Sequence, residues 1–121
     1  MRMRFRFRIL ALLIIAVAWH DAGRVIFVAS PRAAAQGRAY WAPYSVSKAA
    51  LETLAKTYAN ETADSAIRVN LVDPGATATA MRAEAFPGED QDTLNKPEAV
   101  AEVILRLALP DYTQSGEIVA V

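Results

Sequence analysis

Three short apolar segments in the second part of the chain have the pattern of buried parallel strands. Residues 24–29, 67–72 and 116–121 are rich in Val, Ile, Leu and Ala, and the first two are followed by turn-forming residues, Ser-Pro and Asp-Pro-Gly. A short apolar run that stops at such residues is typical of a strand covered on both faces of a sheet. The pattern therefore predicts three neighbouring parallel strands.

Two helices are predicted between these strands. Residues 45–62 contain neither Gly nor Pro and follow Pro43, a residue suited to the first turn of a helix. Residues 96–109 carry apolar side chains at spacings of three and four and are followed by Pro110, which cannot continue a helix. A strand, a helix and a second strand form a crossover unit whose strands are parallel. The fold class is α/β.

The segments between these elements are predicted as follows. Residues 31–42 have no hydrophobic period and include Pro31 and Gly37, so we expect a loop, and long loops after parallel strands often carry function. Residues 76–83 could open a short helix. Residues 86–95 are acidic and contain a Pro-Gly turn, which predicts an irregular loop.

Residues 1–21 differ in kind from the domain that we assign to residues 22–121. Arg alternates with apolar residues up to Arg8, and the eleven residues 9–19 are all apolar. A basic start, a short apolar run and a small-residue pair resemble a secretory signal, whereas a membrane span needs about twenty apolar residues. A buried helix or strand and a start foreign to the domain are the alternatives. We expect an uncleaved, cytoplasmic chain that is not attached to a membrane.

The composition excludes several function classes. The formal net charge is zero, and beyond Arg8 nine basic residues stand against thirteen acidic ones, so no basic face is expected to bind nucleic acid. The chain has no Cys, and His20 is its single His, which excludes thiolate zinc sites, a Cys nucleophile and a Ser-His-Asp triad. No metal site is predicted.

Tyr44 and Lys48 are the candidate chemical groups. Four residues apart on a helix, they lie on one face, one turn from each other. An ammonium close to a phenol stabilises the phenolate, so the phenol could exchange a proton with a ligand. The pair also begins a helix after a buried strand, at the sheet edge where α/β folds bind ligands. Taken alone, the spacing equally fits a surface Tyr packed on a Lys stem.

The sequence around this pair resembles the short-chain dehydrogenase/reductase family. Tyr-Ser-Val-Ser-Lys-Ala-Ala-Leu at 44–51 is similar to the Tyr-x-x-x-Lys motif of that family, and Asn-Leu-Val-Asp-Pro-Gly at 70–75 with Thr79 is similar to its Asn-x-x-x-Pro-Gly segment. Order and spacing agree over residues 22–121. The resemblance implies the C-terminal half of a Rossmann-like, doubly wound parallel sheet.

The resemblance also implies roles for particular residues. Tyr44 would be the catalytic acid or base, and Lys48 would assist it and hold the nicotinamide ribose of NAD or NADP. The residues expected to border the nicotinamide and pyrophosphate are Pro74, Gly75, Thr77 and Thr79. Ser30 would bind the substrate carbonyl as the third catalytic residue. It stands fourteen residues before Tyr44 instead of the family's thirteen, so this assignment requires one inserted residue in the loop. A Ser that only caps that loop is the alternative.

The family's glycine-rich phosphate loop has no counterpart, because the five glycines lie too far apart. We therefore expect a truncated NAD(P)-dependent oxidoreductase that interconverts a small-molecule carbonyl compound and a secondary alcohol. The alternative is a non-catalytic remnant or interaction module, exported or attached to a membrane through residues 1–19. The strand edge and helix faces left by a half sheet would permit a homo-oligomer.

Overall fold

The computed structural model describes residues 22–121, which form one three-stranded sheet with helices on it. The strands are β1 (Arg24–Val28), β2 (Arg68–Asp73) and β3 (Ile118–Ala120), in the order β1-β2-β3. Both pairings are parallel, with Val25 opposite Val69 and Leu71 opposite Ile118. The predicted set of three adjacent parallel strands is therefore confirmed, as is the α/β class. The predicted signal-like or anchor segment, residues 1–19, lies outside the described residues.

Four helices connect the strands. They are α1 (Pro31–Gln36), α2 (Ala42–Glu61), α3 (Ala80–Ala85) and α4 (Pro97–Ala108), and a single 3-10 turn covers Gln91–Thr93. Helices α2 and α4 agree with the predicted helices, except that α2 begins three residues earlier than expected. None of the helices between residues 22 and 121 is long and apolar enough to cross a bilayer.

The loop predicted for residues 31–42 is wrong in its first half, where α1 forms. Pro31 stands in the first turn, where its missing N–H costs nothing, and three alanines follow it. Gly37 ends the helix with φ at 55°, a left-handed conformation that glycine adopts without strain. A helix of six residues is too short to be stable alone, so its packing against α2 maintains it.

The core lies between α2 and one face of the sheet. Val69 and Leu71 of β2 are fully buried there against Ala55 and Ala59, the two buried residues of α2. Val72 and Asn70 alternate with them on β2, and α4 contributes the fully buried Leu107. The helices thus cover the sheet in the doubly wound manner, with β2 in the middle.

Asn70, the first residue of the motif at 70–75, joins two segments of the fold through its side chain. It is almost completely buried, its Nδ2 donates to the carbonyl of Gln114, and its Oδ1 accepts from the N–H of Glu117. It therefore holds the segment that leads into β3 against β2, because a buried amide must have partners for both of its polar atoms.

Candidate functional site

The predicted site residues meet in one cleft at the carboxyl ends of β1 and β2. The cleft has a volume of about 640 Å³ and is bounded by α1, the start of α2 and the segment after β2. All seven candidate residues line it: Ser30, Tyr44, Lys48, Pro74, Gly75, Thr77 and Thr79. The carboxyl ends of parallel strands at a crossover are where open α/β sheets bind ligands, so the location is chemically appropriate.

Tyr44 and Lys48 lie on the face of α2 that is directed at β1. The Nζ of Lys48 is 3.1 Å from the carbonyl oxygen of Val28, to which it donates, and 5.8 Å from the centre of the Tyr44 ring. Pro43 in the first turn of α2 fixes where the helix begins, and Tyr44 and Lys48 follow within two turns. Helix geometry and one hydrogen bond therefore keep the ammonium close to the phenol.

Ser30 immediately precedes α1 and lies two residues after the end of β1. Its carbonyl accepts from the N–H of Ala34, but its hydroxyl makes no capping bond to that helix. The second reading from the sequence, a Ser that merely caps the following segment, therefore finds no support in a side-chain bond. The hydroxyl lies on the cleft wall without a partner among residues 22–121.

The segment after β2 is held by its own hydrogen bonds. Gly75 has φ at 61°, and its N–H donates to Asp73 Oδ1. Thr77 Oγ1 donates to the carbonyl of Pro74, which also accepts from Asn95 Nδ2. A Cβ at Gly75 would stand 3.1 Å from that amide nitrogen. The positive φ and this close approach both favour glycine at the position.

Thr79 begins α3, where its Oγ1 accepts from the N–H of Arg82 as a helix cap. The hydroxyls of Thr77 and Thr79 thus both take part in shaping the segment. Each retains hydrogen-bonding capacity, since a hydroxyl has one donor and two acceptor sites.

A wall of aromatic and basic residues, not predicted from the sequence, closes the cleft beside Tyr44. Trp41 meets Tyr44 edge to face, with the ring centres 5.6 Å apart, and is also 5.6 Å from Phe86. The guanidinium carbon of Arg38 lies 4.8 Å from the Trp41 ring centre and 4.9 Å from that of Phe86. The spacing of Arg38 and Trp41 gave no signal, because Phe86 is remote in sequence.

Arg82 and Glu89 form the outer part of this wall. Arg82 donates from Nε and Nη2 to the two carboxylate oxygens of Glu89, and its guanidinium lies 3.8 Å from the Phe86 ring centre. The hydrogen bond to Arg82, aided by its charge, holds the pKa of Glu89 below its ordinary value, and the same bond raises the pKa of Arg82. Both groups are therefore ionised near neutral pH and fix Phe86 in place.

A parallel crossover sheet with a cleft at its carboxyl edge and a Tyr-Lys pair on the adjoining helix defines an α/β protein of the doubly wound class. The sequence model described as short chain dehydrogenase matches residues 7–90, so the chain belongs to the short-chain dehydrogenase family. That match begins inside the segment 1–21, which the sequence pattern had separated from the domain, and the boundary at residue 22 stays a prediction.

Two curated relatives support this assignment. The chain is 42% identical over 87 residues to the uncharacterized oxidoreductase YciK of Escherichia coli K12, covering 72% of this chain and 34% of that protein. It is 36% identical over 88 residues to the 3-oxoacyl-[acyl-carrier-protein] reductase FabG of Thermotoga maritima, covering 64% of this chain and 35% of that one. The chain thus spans about a third of the length of these relatives.

Solved structures agree with the sequence comparison. A short chain dehydrogenase of Escherichia coli CFT073, solved with NADPH, superposes with a TM-score of 0.72 at 36% identity over 84% of this chain and 42% of that one. A short chain dehydrogenase of Shigella flexneri 2a strain 301, solved with NADP, gives a TM-score of 0.73 at 36% identity with the same coverage. Over the matched parts, this chain therefore has the same fold as these two short chain dehydrogenases.

Proposed function

We propose that this chain carries the catalytic, nicotinamide-side part of an NAD(P)-dependent oxidoreductase that interconverts a carbonyl group and a secondary alcohol. The observation that carries the proposal is the convergence of Tyr44, Lys48 and Ser30 on one cleft with the Pro74–Gly75 turn. A phenol, an ammonium and a free hydroxyl are the groups needed to bind a carbonyl oxygen and give it a proton. Relatives solved with NADPH and NADP support a nicotinamide cofactor.

The residues of the cleft fit the nicotinamide end of such a cofactor. Gly75 lets the backbone approach a ligand closely, and the hydroxyls of Thr77 and Thr79 remain able to bond to it. Lys48 would hold a ribose hydroxyl from the neighbouring wall of the cleft. Residues 1–121 contain no glycine-rich cradle for the adenosine and phosphates, so the fit concerns the nicotinamide side.

In this mechanism the chain's own groups handle the carbonyl oxygen. A reduced nicotinamide cofactor, if held beside residues 74–79, would provide the hydride that the carbonyl carbon accepts. Ser30 donates a hydrogen bond to the carbonyl oxygen and orients it, and Tyr44 gives that oxygen its phenolic proton, which yields the alcohol. Lys48 stabilises the phenolate that remains, because a cation lowers the energy of a nearby anion in a site partly shielded from water. Alcohol oxidation is the reverse sequence.

The test is a hybrid enzyme with a known reaction. In Thermotoga maritima FabG, the 88 matched residues are replaced by the corresponding residues of this chain, and reduction of a 3-oxoacyl substrate is followed by loss of NADPH or NADH absorbance. We expect turnover that Tyr44→Phe lowers by at least about a hundredfold, since general acid catalysis contributes roughly 10²–10⁴-fold.

Tyr40→Phe is the matched control, because Tyr40 is fully exposed on the neighbouring turn and loses the same hydroxyl. Circular dichroism and cofactor titration establish that each hybrid folds and binds. A hybrid that binds the cofactor but reduces nothing would contradict the proposed function. Equal turnover in Tyr44→Phe and Tyr40→Phe would contradict the role of Tyr44.

A further inference from the structure

The cleft has a surplus of positive charge that its own carboxylates do not neutralise. Its charged lining residues are Arg32, Arg38, Lys48, Asp73 and Arg82. Arg82 is paired with Glu89, and Asp73 accepts the N–H of Gly75. Within residues 22–121, neither Arg32 nor Arg38 forms an ion pair or a side-chain hydrogen bond. Two guanidinium groups at the cleft are thus available to a ligand.

Arg38 is also held in position by contacts that leave its hydrogen-bond donors unused. Its guanidinium lies against the rings of Trp41 and Phe86, at 4.8 and 4.9 Å from their centres. Its carbonyl accepts from the N–H of Trp41, which closes a turn just before α2. Contact with aromatic rings restrains a planar guanidinium while its N–H groups stay free, so less entropy is lost when it binds an anion.

We propose that the ligand reduced or oxidised in this cleft carries a carboxylate or phosphate group and that Arg38 binds it, with Arg32 adding to the attraction. Trp41 touches both Tyr44 and Arg38, so the anionic group lies one aromatic ring away from the phenol. The substrate class is therefore an oxo acid or phosphorylated ketone. This rests on the proposed function for the carbonyl step, but the anion site does not.

A second source of an anion is the cofactor, whose phosphates could be bound by the same arginines. The contacts of Arg38 favour the substrate: they are with Trp41 and Phe86, whereas the expected nicotinamide side of the cleft is the segment 74–79. Nicotinamide mononucleotide therefore serves as the probe for the cofactor's phosphate, and levulinate serves as the probe for a substrate carboxylate.

The experiment measures equilibrium binding to the full chain by NMR titration without a dinucleotide. The probes are levulinate, its neutral methyl ester and nicotinamide mononucleotide, and the variants are Arg38→Gln, Arg38→Lys and Arg106→Gln. Arg106 is an exposed arginine of α4 that does not line the cleft, so its replacement removes the same charge elsewhere. Circular dichroism verifies the fold of each variant.

We expect wild type to prefer levulinate to its ester, and Arg38→Gln to weaken levulinate by about tenfold or more, as for loss of a charged hydrogen bond. Arg38→Lys should have an intermediate effect, and Arg106→Gln should have none. If Arg38→Gln does not fold, the wild type decides: levulinate binding must weaken with added NaCl and ester binding must not.

Several outcomes would overturn the anion site. They are no detectable levulinate binding, equal binding of acid and ester, equal losses in Arg38→Gln and Arg106→Gln, or a loss confined to nicotinamide mononucleotide. These results are independent of the hybrid assay. Levulinate binding through Arg38 with an inactive hybrid would contradict only the proposed reaction, and an active hybrid with no preference for acids would contradict only the anion site.

Discussion

The ammonium of Lys48 donates a hydrogen bond over 3.1 Å to the carbonyl oxygen of Val28, the last residue of β1. The bond joins the second turn of α2 to the end of the sheet. It also keeps the Lys48 side chain directed into the cleft near Tyr44. One contact therefore contributes both to the stability of the α2–β1 contact and to the geometry of the site.

Lys48→Met should reduce the free energy of unfolding by about 1 kcal/mol, because it removes a charged hydrogen bond to a backbone carbonyl. Lys56→Met on the same helix is the control. Lys56 forms a surface ion pair with Glu52 one turn away, and such pairs contribute about 0.3–0.5 kcal/mol. Urea denaturation measures both. Equal losses in the two variants would show that the bond to Val28 contributes nothing special.

Asn70→Ala should be the more damaging change, with a loss of about 2–3 kcal/mol in the free energy of unfolding. The substitution removes a buried amide and leaves two part-buried groups, the carbonyl of Gln114 and the N–H of Glu117, without their partner. Asn60→Ala, at an exposed position near the end of α2, should change stability by less than about 0.5 kcal/mol. Urea denaturation would contradict the assignment if both variants unfolded at the same midpoint.

The wall around Phe86 should loosen in acid. Glu89 has a folded-state pKa below its ordinary value of 4.5 because Arg82 donates to its carboxylate. The stabilisation is therefore complete above pH 4.5 and is lost as the pH falls through the lower, folded-state value. An NMR titration of the Glu89 carboxyl and the Phe86 ring should show both changing together. In Glu89→Gln the Phe86 shifts should not follow this acid transition, and an unchanged profile would contradict the coupling.

The 121-residue chain alone should bind NADH and NADPH no better than millimolar and should show no measurable carbonyl reduction. A Kd of 1 mM already corresponds to about 4 kcal/mol of net binding, and only the nicotinamide side has candidate partners here. Hydride transfer also needs a donor held close to the carbonyl and aligned with it. Weak cofactor binding would therefore leave carbonyl reduction too slow to measure. Fluorescence titration with both cofactors is the measurement. Micromolar binding would show that residues 1–21 or a second copy of the chain anchor the rest of the cofactor.

The strands and main helices could be predicted because their signals are local. The apolar runs at β1 and β2 and the helix boundaries at Pro43 and Pro110 depend on neighbouring residues alone. Helix α1 was missed although its sequence has a Pro at the start, three alanines and a closing Gly37. Six residues give too little pattern, and the packing on α2 that stabilises them is not written in their own sequence.

The residues of the cleft also fall into a group that the sequence could predict and a group that it could not. Its motif residues, Tyr44 and Lys48, have a fixed spacing on one helix, so the sequence could predict that they lie together. The wall of Arg38, Trp41 and Phe86 could not be predicted, because it depends on how the segment after β2 folds back over the start of α2. Contacts between residues so distant in sequence are set by tertiary packing, for which single-residue patterns give no signal.

The two buried alanines of α2 have a consequence for the position of Tyr44. Ala55 and Ala59 are the side chains on which the helix rests, and their methyl groups set the height of its axis above β2. Tyr44 stands eleven residues before Ala55, roughly 16 Å along the same rigid rod. A bulkier residue at either alanine would tilt the rod and displace the phenol at its far end. The position of the Tyr44 phenol can thus be altered from the opposite end of the helix, by a change in steric volume far from the cleft.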